Sequence, residues 1–197
     1  VTYRATAASA WADVYADSFE TDQGWAPLNV GATAGNWKRG VPVDDPNWAY
    51  GPSSDADGSG QCWVTENLPG NSDVDGGTVQ LTSRSFDFSS PEARISYRYF
   101  LALTIADGVD KLAVEMSTTG PIGPWIPIAT HDTDGGLAWR TQEFTASDAQ
   151  ALGIALSADA RLRFRATDVG VSSIVEAGVD AFRVSRGVCL PPVGTFC

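Results

Sequence analysis

Residues 161–166 read Arg161-Leu162-Arg163-Phe164-Arg165-Ala166, a strict alternation of cationic and apolar side chains. Successive side chains of an extended strand point to opposite faces, so this run turns arginines toward water and Leu, Phe and Ala toward a core. The same period recurs in Ser96-Tyr97-Arg98-Tyr99-Phe100. It predicts strands near 14–20, 35–39, 62–65, 79–87, 93–102, 111–118, 125–128, 138–144, 161–167 and 174–185, each closed by Gly, Pro, Asn, Asp or Ser. One segment, from Thr145 to Leu152, reads as helix, with Ser147 or Asp148 as a cap and room for about two turns. Many short strands, Gly-rich turns and one short helix predict an all-β sandwich rather than βαβ units.

The sandwich is expected over 13–186. Residues 1–12 read as a linker or the end of a preceding domain, and 187–197 as a Pro/Gly-rich tail toward another module. Between 40 and 60 lies a long aperiodic stretch rich in Pro, Asp, Asn, Ser and Gly. A loop of that length in a compact domain is usually functional or ordered by a metal. No run of eighteen apolar residues occurs, so no membrane insertion is expected, and any signal peptide was removed or lay further upstream.

Thirteen basic residues against 24 acidic ones give a net charge of −11, which argues against nucleic acid and anionic membranes as partners. Eighteen of the acids are Asp, the residue of turns and of hard-cation sites, and only six are Glu. The single histidine, His131, must serve any Ser-His or Cys-His catalytic arrangement. It stands in His131-Asp132-Thr133-Asp134-Gly135-Gly136, which reads as a solvated turn. No nucleophile elbow, zinc spacing or phosphate loop accompanies it. Of the three cysteines, Cys189 and Cys197 are spaced for a small disulfide loop, whereas Cys62 reads as a buried apolar residue, with a bridge to the tail as the alternative.

Oxygen ligands are better supplied. Three Asp-Gly segments occur: Asp55-Ala56-Asp57-Gly58-Ser59-Gly60, Asp73-Val74-Asp75-Gly76-Gly77 and Asp132-Thr133-Asp134-Gly135-Gly136. Calcium takes six to eight such oxygens, and glycine lets the backbone wrap the ion. Glu20 and Asp180 stand at apolar strand positions, where a carboxylate is unfavourable unless paired or metal-bound. Among seven tryptophans, Trp37, Trp63 and Trp139 read as core. Trp48, with Tyr50 in the long loop, is the candidate surface platform for a ligand.

The order of several short motifs resembles the jelly-roll modules of the MAM-like and cleaved-adhesin type found beside secreted bacterial peptidases, including zinc carboxypeptidases. They are Asp17-Ser18-Phe19-Glu20 with Gly24-Trp25, Asn36-Trp37-Lys38-Arg39-Gly40-Val41-Pro42, Gly60-Gln61-Cys62-Trp63-Val64-Thr65, Asp73-Val74-Asp75-Gly76-Gly77 with Leu81-Thr82-Ser83, and Val179-Asp180-Ala181-Phe182-Arg183-Val184. The resemblance implies a galactose-binding-like jelly roll without catalytic residues and with a structural Ca2+. By position, Glu20 and Asp180 are its ligands, joined by Asp73 or Asp75, while the other two Asp-Gly segments remain turns. Such modules often carry two successive acids where this chain has Asp180-Ala181.

These readings converge on a non-catalytic accessory module of a secreted or cell-surface bacterial multidomain protein, such as a hydrolase. Its partners are expected to be a glycan or protein surface and the neighbouring domains. A purely structural spacer is the first alternative. An enzyme built on two carboxylates is the second.

Overall fold

The computed structural model describes residues 9–189. Among them twelve strands and one helix form two six-stranded antiparallel sheets packed face to face, a jelly-roll sandwich. The strands are β1 Ser9–Asp17, β2 Ala26–Val30, β3 Trp37–Gly40, β4 Cys62–Thr65, β5 Gly77–Thr82, β6 Phe86–Phe88, β7 Ala93–Leu103, β8 Lys111–Ser117, β9 Ile126–His131, β10 Arg140–Thr145, β11 Ser157–Asp168 and β12 Val175–Cys189. One sheet runs β10-β7-β12-β4-β3, and β1 also lies against β12. The other runs β2-β5-β11-β8-β9, with β6 against β11. No described helix is long and apolar enough to cross a membrane.

Alternation decides what faces inward. Along β11 the buried positions are Ala160, Leu162, Phe164, Ala166 and Asp168, while Arg163 and Arg165 turn outward to Glu115 on β8. From β7 come Ile95, Tyr97, Tyr99, Leu101 and Leu103, and from β12 Val175, Ala177, Val179, Phe182 and Val184. The step from Val179 to Phe182 contains a bulge at Ala181, whose φ is 48°. The extra residue resets the alternation, so Phe182 points inward while Asp180 stays on the outer side.

Several expectations are corrected by pairing. The edge strand β2 was not anticipated, because all five of its residues are exposed and Pro27 breaks the pattern; its ladder with β5 makes it a strand. The run expected over 79–87 splits into β5 and β6 at Ser83-Arg84-Ser85. The helix, α1 Ala146–Ala151, is capped by Thr145 in a reciprocal box with Asp148, two or three positions before the expected cap. Residues 9–12 and 187–189 belong to the sheet, since Ser9 pairs with Cys189 and Trp11 with Gly187. Cys197, the expected partner of Cys189, and residues 1–8 of the expected linker lie outside the described residues. Cys62 is buried, and burial pushes its thiol up.

Candidate functional site

On the outer side of β12, Glu176 and Asp180 project away from the core, and Gly178 lies between them. Neither carboxylate reaches water, because the loop over 41–61 lies across this face. Its Trp48 donates Nε1–H to Glu176 (3.0 Å), its Ser54 carbonyl accepts from Trp139 Nε1 (2.8 Å), and its Ala56 N–H donates to Asp180 Oδ2 (2.7 Å). Thr65 and Ser72 also donate to Glu176. Burial pushes Glu176 up to about 7, against the three donors that favour its charged form.

The loop brings Asp55 and Asp57 to Asp180. One oxygen from each of the three lies within 4.8 Å of the others, and Asp180 is 0% exposed. Burial and then the charges of Asp57 and Asp55 push Asp180 up to about 6, although the Ala56 and Ala181 N–H groups favour its charged form. The loop is already hydrogen-bonded to these acids: Gly60 N–H donates to Asp55 (3.0 Å) and Ser59 N–H to Asp57 (2.9 Å). Glu20 is not one of the three converging acids. It lies in the bend after β1, half-buried, and accepts from Gln61 N–H (2.6 Å) and Ser59 Oγ (3.1 Å). Its expected strand position is therefore corrected to a clasp on the far side of the same loop.

Asp73 and Asp75 do not join Glu20 and Asp180. Each offers an oxygen to a second group, with Asp168, again within 4.8 Å of one another. Asp73 is 2% exposed and Asp168 4%. Burial, then the charge of Asp75, pushes Asp73 up to about 6; burial, then the charge of Asp110, pushes Asp168 upward too. The acids expected together, Glu20, Asp180 and Asp73 or Asp75, thus lie apart, and two separate groups of three form instead. Asp55, Asp57 and Asp168 join these groups without having been expected there. For Asp168 a signal existed: it is the next period-two step after Leu162, Phe164 and Ala166. For Asp55 and Asp57 the signal is the Asp-Gly segment itself, a pattern that a surface turn shares.

His131 is a correction. It is 8% exposed at the end of β9, stacked on Tyr99 with 3.7 Å between ring centroids, and its Nε2 lies 3.1 Å from the Tyr97 hydroxyl. Burial, then the Arg140 charge, pushes it down to about 4, against Asp132. It is a packed ring, not a solvated turn residue, because β9 pairs through Leu112↔His131 and carries it under the tyrosines.

Trp37 and Trp63 are core, as expected. Trp139 instead packs on the outer side, against Phe100 and Gly178. Trp48 is half-buried, with its indole edge committed to Glu176 and Tyr50 edge-on at 5.2 Å. Beside Asp57 opens a cleft of about 410 Å³, whose polar lining includes Ser96, Arg98, Thr141 and Arg183. Arg98 is exposed and forms no ion pair among the described residues, whereas Arg183 pairs with Asp13 at 2.6 Å.

No family model matches the sequence, and no curated protein does. Solved structures do match. The K1 cleaved adhesin domain of Lys-gingipain from Porphyromonas gingivalis W83 is 17% identical, with a TM-score of 0.54, covering 86% of this chain and 96% of that domain. The K2 cleaved adhesin domain of Lys-gingipain is 15% identical, with a TM-score of 0.53 and the same coverage. At such identity the likeness is one of fold, and it extends over most of this chain's length.

Proposed function

We propose that this chain is a non-catalytic binding module of a secreted or cell-surface bacterial multidomain protein, ordered by calcium at Asp55, Asp57 and Asp180. The observation that carries the reading is the coincidence of that centre with the cleft on the outer sheet. Asp57 belongs to both, so an ion that fixes the 41–61 loop also fixes one wall of the cleft. Three hard carboxylate oxygens within 4.8 Å suit calcium, with loop carbonyls and water completing its shell.

The ligand is a glycan or a protein surface. Arg98, exposed and without an acidic partner, offers planar donors beside the Asp57 carboxylate, a combination suited to hydroxyl or carboxylate groups. The likeness to domains described as cleaved adhesins supports attachment over chemistry. A glycan array read with and without calcium tests the glycan form, and Arg98→Ala tests the cleft. Binding that needs calcium and falls at least ~10-fold in Arg98→Ala supports the proposal. Binding indifferent to Arg98 would place the ligand elsewhere, and none to any glycan or surface protein would leave the spacer reading.

A further inference from the structure

The second acidic group has a property the first lacks. Asp73 Oδ1 is inaccessible to water and has no hydrogen-bond partner, although its residue is 2% exposed. A buried carboxylate oxygen left without a partner forfeits its hydration with nothing in return, which is unfavourable unless a cation or donor meets it. Asp168, Asp75 and the fully buried Asp110 add three further acids. Asp110 is held by Val169 N–H (3.0 Å) and by Ser173 Oγ (2.5 Å), whose hydroxyl also lies 3.3 Å from Asp168. Among the described residues no lysine or arginine forms an ion pair with any of the four. Elsewhere the chain supplies its own counter-charge: Glu115 is flanked by Arg163 and Arg165.

We propose that Asp73, Asp75 and Asp168 form a second calcium site, independent of the first, at the end of the sandwich where β11 stops and β12 begins. The donor set is all oxygen and anionic, which selects a hard divalent cation. The backbone around it is closely packed. A Cβ at Gly35 would collide with the backbone of Val74, and one at Gly77 with Gly31 and Ala32. Val74 is a core residue whose N–H donates to the Val175 carbonyl (3.0 Å), while the Asp75 carbonyl accepts from Thr33 N–H (2.8 Å). An ion here therefore ties the 66–76 loop to the end of β11 and locks both sheets at one end. It is a structural site, and ligand binding at the cleft does not depend on it.

Calcium stoichiometry of the full chain, by isothermal titration after chelator treatment, tests the site. The wild type is expected to bind two ions. Asp73→Asn and Asp75→Asn should each bind one, the site they alter being weakened at least ~10-fold. Asp55→Asn should also bind one. The half-buried Asp75 provides the check if Asp73→Asn does not fold. A wild type with one ion that is lost on Asp55→Asn but kept in Asp75→Asn overturns this site and leaves the first. One ion lost only on Asp75→Asn keeps it and removes the first. Two ions retained in both Asp73→Asn and Asp75→Asn overturn it.

Discussion

The two groups of three aspartates differ in how the fold treats them before any ion arrives. At Asp55, Asp57 and Asp180 each carboxylate accepts a backbone N–H, and those bonds shape the loop that carries them. At Asp73, Asp75 and Asp168 the acids sit at the end of an inward-facing strand and its neighbouring loop, and Asp73 keeps an oxygen with no partner. The first group is a loop folded around its own acids. The second is a corner of the core in which like charges are confined. The difference predicts that cation removal loosens the first locally and strains the second.

The widest test of that contrast is a thermal melt with calcium and with chelator. At about 100 times its dissociation constant a bound ion adds about 2.7 kcal/mol, so two occupied sites add roughly 5 kcal/mol and raise the midpoint by several degrees. An unmoved midpoint would remove cations from both regions.

Next in size is pH dependence in chelator. Glu176 is raised to about 7 from an ordinary 4.5, so the folded state holds its proton more tightly than the unfolded chain. Its contribution is complete below about 4.5 and is lost as pH rises through 7, by about 3 kcal/mol at most. Glu176→Gln should flatten that limb. His131 acts oppositely: lowered to about 4 from 6.5, it contributes above about 6.5 and that contribution is lost as pH falls through 4, again by about 3 kcal/mol at most. Chemical denaturation from pH 4 to 8 reads both limbs. A wild-type profile matching Glu176→Gln between pH 5 and 7 would show that burial does not govern Glu176.

The sharpest contrast is also the smallest. In chelator at pH 8, Asp73→Asn should stabilise the fold by about 1–2 kcal/mol, because an amide relieves a confined charge and can donate to Asp75 or Asp168. Asp180→Asn should change stability by less, or lower it, since the new amide replaces an acceptor of the Ala56 or Ala181 N–H. Equal shifts of the same sign would erase the distinction between the regions.

Particular elements show how far the amino-acid order could be read. The alternation in β11 announced its arginine face and its core face, and one more step of the same period marks Asp168 as buried. Asp180 was legible as an acid in an apolar strand. What covers it was not, because the loop over 41–61 has no period and its contacts are long-range. Asp55 and Asp57 carried the same Asp-Gly signature as a surface turn. His131 misled for a related reason: the flanking Asp-Gly residues do form the turn, but the ring one position earlier belongs to β9 and goes under Tyr97 and Tyr99.

Sequence alone determined that the chain is a β-sandwich, since side-chain alternation is a local property that two faces of a strand must obey. It also determined that the chain carries an excess of aspartates in glycine-bounded segments. Only the tertiary structure decided which aspartates meet. Asp55 and Asp57 reach Asp180 across more than a hundred residues because one loop crosses the outer sheet. Asp73 and Asp75 reach Asp168 because a different loop closes one end of the sandwich. Convergence of like charges has no local signature, as it arises from strand pairing and loop closure rather than from the order of neighbouring residues.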